Sequence, residues 1–424
     1  MAAPHRLTVN TAALSSQAVF QSSSSMREND ASLSQSKNLV WGAVARFMLV
    51  ALFFDALAPL FPQIAASYDI SPDQFQSIVG AAYIAFALSQ LASVKAINRF
   101  GLYGTAAMSC IYLGIASVLI CLFREPVVFA LLFVSMFIVN SFGSNATRVA
   151  LREATSDDGF RRLFAWASGA VEIKQIAMPL LAGAVAAAYG WRPALLILVT
   201  PVVLAGLFIA FASRDGSRPK SRPVVESGFS RWAAIVTMPS FLAPTLIAAA
   251  FQIAFGPLSA RLPFVLGEAS SLDSLTIGLV LSVASAAVAL GFFVSAHLSP
   301  RISSTSMVLI GVALMIVGTA TMTAGSAVGS GTTITGIVVV QSSLGFIMTA
   351  CSGDALSASD RYRTSASALF GFLQPTVGGA SVILAGTLPF SNAGTLIALC
   401  SISVTSILAV QLLIGPAARS VRSV

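Results

Sequence analysis

The sequence predicts an all-α membrane protein, twelve transmembrane helices in two six-helix halves with both termini cytoplasmic, and three observations carry that prediction. The first is composition. Of 424 residues, 56% are hydrophobic and 9% charged, and the mean hydropathy is +0.86. That is more apolar surface than a soluble chain of this length can bury. The second is spacing: apolar runs of at least ~18 residues, enough to cross a bilayer, recur on both sides of one hydrophilic stretch. The third is a lopsided placement of Lys and Arg in the connections, which sets an orientation.

Residues 1–41 are polar and serine-rich, lack an apolar run near the start, and read as a solvated cytoplasmic tail rather than a signal peptide. Spans are expected near 42–66, 74–94, 103–123, 127–150, 163–188 and 193–213, forming a first bundle over 42–213. A linker, 214–232, combines Pro, Gly, Ser and charge and cannot continue a helix through hydrocarbon. A second bundle, 233–415, holds spans near 233–257, 275–297, 306–327, 332–353, 364–388 and 393–415, and 416–424 form a tail. Two connections half a chain apart, from Lys95 and from Ala296, each place an arginine between a helix end and a small-residue start. Parallel repeats of this kind build two transporter halves around a midplane site.

Arg46, Lys95, Arg99, Arg148, Arg152, the linker cations, Arg301, Arg361, Arg363 and Arg419 fall on one side, against Arg124, Arg192 and Arg261 on the other. The rule that positive loops stay inside then makes this a multi-pass protein of the cytoplasmic (inner) membrane. The net charge of +8 is spread over these loops and forms no patch, so nucleic acid is not an expected partner. Four cysteines lie in apolar runs without a C-x-x-C pair, and there are two histidines, so neither a metal site nor a cofactor is expected. The signatures of nucleotide-driven pumps and common hydrolases do not occur, and the chain is not expected to be an enzyme.

Charges inside spans mark the candidate site. Asp55 sits mid-run in FMLVALFFDALAPLFPQIAA, where a carboxylate costs roughly 2.5–3.5 kcal/mol on insertion and is kept for a substrate or ion path. Pro59 and Pro62 follow it and are expected to bend the helix. The fifth span carries Glu172, Lys174 and Gln175 ahead of Pro179. Glu172 and Lys174, two apart, point to roughly opposite faces, so at least one looks to another helix. Asp55 paired with Lys174 would give a proton-released lock, Asp55 and Glu172 being the proton-coupling candidates, or a static bridge that fixes packing. Gln252, Gln341 and Gln374 are candidates for substrate hydrogen bonds or interhelical packing, and Pro375 marks a further bend.

These motifs resemble the major facilitator superfamily, and within it the drug:proton antiporters of the bicyclomycin and chloramphenicol type. Asp55, Pro59, Pro62, Ile64 and Ala65 stand where that group has D-x-x-x-P-x-x-P-x-I-A. Arg148, Arg152 and Glu153 match its fourth-helix exit, Gly190, Trp191 and Arg192 its G-W-R, and Ser365–Gln374 its eleventh helix. The cytoplasmic loop signature keeps Arg99 and Gly101, but Asn98 replaces the acid and the following basic pair is lost. In the fifth span Glu172 and Gln175 replace the expected Gly and Pro positions. The resemblance implies a monomeric exporter of a small amphipathic or charged molecule in exchange for protons, with Asn98, Arg99 and Gly101 as a gating loop. A carrier of a zwitterionic metabolite and a non-transporting receptor on a degenerate fold remain the alternatives.

Overall fold

The helices form where apolar runs begin behind a residue that can satisfy free backbone N–H groups. The computed structural model describes residues 38–50, 53–54, 56–153, 176–213, 234–270, 273–358, 363–388 and 391–416. Ser71 starts α3 (Pro72–Phe100): its hydroxyl accepts from the Gln74 backbone, Gln74 reaches back to the Ser71 backbone, and Pro72 fills the first helical position. Side-chain caps at Asp273, Ser303 and Ser391 start α9 (Ser274–Leu298), α10 (Ser304–Val328) and α13 (Asn392–Leu413). Here α1 is Asn38–Val50, α2 Phe61–Ser67, α4 Leu102–Leu122, α5 Pro126–Glu153, α6 Ile176–Tyr189, α7 Trp191–Ala212 and α8 Pro239–Ser270. The remaining two are α11 (Ser330–Ser357) and α12 (Arg363–Thr387). Gly101 separates α3 from α4 with φ +74°, a left-handed conformation that a Cβ would strain.

Nine helices among the described residues are long and apolar enough to cross a membrane, with α1 and α6 as shorter apolar helices. Two boundaries differ from the expected ones. The first run, read as one span over 42–66, includes a 3₁₀ turn at Ala58–Leu60 before α2 begins at Phe61. Pro59 and Pro62 lie in these first turns, where a missing N–H breaks no ladder bond. The seventh span, expected to end at 257, continues as α8 to Ser270 with Pro244, Pro257 and Pro263 inside it. Neighbouring helices bury that wall and tolerate the interrupted bonding.

α4 packs between α5 and α7, and α3 lies along α5; α8, α10, α11 and α13 pack together, with α9 against α11. The first group has a core of Phe61, Phe75, Phe129 and Phe133 with Leu113 and Val199, and the second one of Phe251, Met315, Ile337 and Ile347. The groups meet where α3 runs along α12 and where the 3₁₀ turn and α2 touch α8 and α9. Glycine permits the first contact: a Cβ on Gly379 would come within 2.6 Å of the Gly80 carbonyl oxygen, and one on Gly80 equally close to that of Gly379.

Candidate functional site

Toward one end of the bundle polar side chains join the two groups. Asp73 on the first turn of α3 pairs with Arg261 of α8, Oδ1 to Nη2 at 2.7 Å. The guanidinium is buried while the carboxylate is half exposed, and Nη1 donates to the Ala385 carbonyl of α12. One arginine thus ties three helices, a use that suits its planar fork. On the other flank Gln63 of α2 donates to the Ser274 hydroxyl at 2.6 Å and to the Ala186 carbonyl of α6. Asp273 caps α9 beside Ser274, accepting from the Thr276 hydroxyl at 2.7 Å and its backbone N–H at 3.0 Å. Those two bonds hold its carboxyl below the usual range.

Inside this tie the wall is aromatic. Phe75 packs on Phe61, Phe129 and Phe264, bringing a side chain of α8 into the first core. Below it Tyr83 and Phe54 both meet Phe137 edge-on. Helical periodicity puts Gln76 on the stripe of α3 that continues through Gly80 and Tyr83. It is fully buried, and neither of its amide atoms has a hydrogen-bond partner among the described residues.

Of the residues singled out from the sequence, Asp55, Glu172, Lys174 and Gln175 lie outside the described residues. Gln374 is buried one turn before Gly378, where α12 crosses α8 at Gly256. Gln252 is half buried at the same crossing, its carbonyl accepting from Ser381 at 3.2 Å. Gln341 is buried on α11. Pro179 is buried on α6 against Gly278 of α9, and Pro375 lies within α12. Asn98 and Arg99 are exposed at the end of α3, with the Arg99 guanidinium 5.4 Å from the centre of the Phe100 ring, ahead of Gly101.

Several residues that organise the molecule were not candidates. Arg46 of α1, counted above among the loop cations, is buried and donates from Nε and Nη2 to the Ser109 hydroxyl at 3.2 and 3.1 Å. It also reaches the Asn140 side-chain oxygen at 3.3 Å. Arg148, counted likewise, lies within α5 and holds Asn145 at 2.9 Å, which in turn donates to Ser93. The reading of both as loop residues is corrected: they stitch α1, α3, α4 and α5 together. Their signal was present in the sequence, since each falls within an expected span, where a charge is expensive. Asp73, Gln63 and Gln76 carried no such signal.

A family model described as Major Facilitator Superfamily matches residues 45–386. No curated protein sequence matches significantly. Among solved structures, a bacterial homologue of the human lysosomal transporter Spinster, inward-facing and unoccupied, is 15% identical with a TM-score of 0.67 over 91% of this chain and 96% of its own. The peptide-transporter-family protein PepTSo is 12% identical with a TM-score of 0.70 over 90% and 98%. The nucleoside transporter NupG is 14% identical with a TM-score of 0.64 over 89% and 99%. At these identities the likeness is one of fold.

Proposed function

The chain belongs to the Major Facilitator Superfamily, and from that premise we propose that it is a secondary transporter working by alternating access. The observation that carries this reading is the joined end. An ion pair, Asp73 with Arg261, and a hydrogen bond, Gln63 with Ser274, link the two helix groups across close glycine crossings. Contacts of this kind exchange for water at modest net cost, whereas a welded apolar interface does not. Two packed bodies joined by breakable polar contacts suit a rocking motion about a midplane site.

In the fuller reading, the protein exports a small amphipathic or charged molecule across the cytoplasmic membrane in exchange for protons, as the drug:proton antiporters of the bicyclomycin and chloramphenicol type do. Both termini and the 214–232 linker face the cytoplasm, and the halves are 42–213 and 233–415. Asp55 takes the proton and Lys174 is its charge partner, with Glu172 a second proton carrier. Protonating one member of a buried pair removes the attraction that holds the other, which converts proton binding into release of a lock. Gln175, Gln252, Gln341 and Gln374 offer hydrogen bonds to substrate, and Arg99 gates the cytoplasmic side.

The test is proton movement in everted membrane vesicles, followed with a pH-sensitive dye while cationic, neutral and zwitterionic compounds are added. A compound that releases protons with the wild type and not with Asp55→Asn supports exchange through Asp55. Release that survives Asp55→Asn, or none with any compound, removes proton exchange through Asp55 from the reading.

A further inference from the structure

The end of the span α4 meets the start of the span α7, and two arginines stand at that junction. Arg192, the second residue of α7, donates from Nε to the Cys121 carbonyl of α4 at 3.3 Å, and its guanidinium carbon lies 4.6 Å from the centre of the Trp191 ring. The Cys121 thiol reaches back to the Arg192 carbonyl at 3.8 Å. These contacts fix a half-buried side chain whose two Nη groups make no hydrogen bond among the described residues.

Arg124 follows the end of α4 and is exposed. The exposed Glu125 comes next in the chain, yet neither arginine forms an ion pair with a carboxylate among the described residues. The junction thus carries two positive charges against one negative.

Away from the charges the surface is apolar on both helices. Gly114 of α4 leaves no room for a Cβ against Val203 of α7, and Gly206 of α7 leaves none against Cys110, so the two helices close on each other along a seam. Val118 and Leu122 of α4 and Ile197 and Leu204 of α7 stand exposed beside it, Leu122 by 70%. Tyr189, which ends α6 next to Gly190, is 73% exposed, and tyrosine and tryptophan favour the boundary between hydrocarbon and water. Fixed cations at the head of an apolar seam match a molecule with an anionic head and hydrocarbon tails. The guanidinium fork suits two oxygens of one phosphate.

We propose that this junction binds an anionic phospholipid, its phosphate on the Nη groups of Arg192 and on Arg124 and its acyl chains along Val118, Leu122 and Ile197. A zwitterionic lipid offers the same phosphate, but its cationic head group is repelled by the two arginines, so net charge sets the preference. The site does not depend on the transport reading, because neither Asp55 nor the Asp73–Arg261 pair takes part.

The experiment uses the full-length protein. Native mass spectrometry compares the lipid retained on release from micelles that hold equal amounts of phosphatidylglycerol and phosphatidylcholine. The wild type is expected to favour phosphatidylglycerol by roughly tenfold, the scale of two surface arginines opposed by one carboxylate. Arg124→Gln combined with Arg192→Gln should abolish the preference. Arg301→Gln, at the other end of the bundle, controls for positive charge in general and should leave it as in the wild type. No preference in the wild type, one that survives the double variant, or one lost equally in Arg301→Gln overturns the assignment. Should the double variant fail to fold, Glu125→Gln decides: removing the one opposing carboxylate should strengthen the preference, and an unchanged or weaker one overturns the assignment.

Discussion

Gln76 is a fully buried amide with neither its oxygen nor its nitrogen hydrogen-bonded among the described residues, three residues beyond the Asp73 that grips Arg261. An unsatisfied buried amide costs about 1–3 kcal/mol, and such groups persist where a second state satisfies them. Gln76→Leu, close in volume, is expected to raise the thermal midpoint of the purified protein and to slow substrate turnover, since the joined end is then held without penalty. A fluorescence-detected melting series reads the first effect, and a midpoint lowered as by a cavity mutation would refute it. At this scale the sequence was legible for charges in hydrocarbon and for amides isolated deep in apolar runs, such as Gln252, Gln341 and Gln374, and opaque for Gln63 and Gln76 near the helix ends. The intramembrane position of Arg46 and Arg148 could be read from their place in apolar runs, whereas Gln63 and Gln76 sit close to other polar residues, where a neutral amide costs little.

Among the elements, α8 and the α3–α12 pair matter most for motion. α8 carries Arg261 two-thirds of the way along its length and contacts α11, α12 and α13, so it couples the joined end to the second core. The α3–α12 crossing depends on absent side chains at Gly80 and Gly379. Gly379→Val places a side chain against a carbonyl that cannot move aside, and overpacking of this kind costs about 1–3 kcal/mol. A bias of that size shifts a near-balanced two-state equilibrium several-fold to a hundredfold. With the four native cysteines replaced, a short thiol crosslinker should join Gln63→Cys to Ser274→Cys efficiently in the parent and poorly with Gly379→Val added. Equal yields would show that the crossing does not hold that end together. Apolar length was enough to anticipate these helices, but α8 runs past the expected end at 257, through Pro257 and Pro263. Proline stops a helix in water, where freed groups can be solvated; among packed helices the run continues.

For the whole molecule, one end bears Lys95, Arg99 and Arg301 and the joined end bears Arg124, Arg192 and Arg261. Positive-inside topology then predicts that the joined end faces outside. Single cysteines at the exposed positions Glu125 and Ser299 test this with a membrane-impermeant maleimide on intact cells. Glu125→Cys should label at once, and Ser299→Cys only after lysis; the reverse pattern would invert the orientation.

By itself the sequence determined that this is an all-helical, multi-pass chain of the Major Facilitator kind, because length, hydropathy and charge asymmetry are local quantities that a bilayer reads directly. Only the tertiary structure decided which faces meet: Arg261 with Asp73 across 188 residues, Gln63 with Ser274 across 211, and Gly80 with Gly379. Periodicity assigns a residue to a face of its own helix. The partner of that face depends on how all the helices pack at once, which no local pattern encodes.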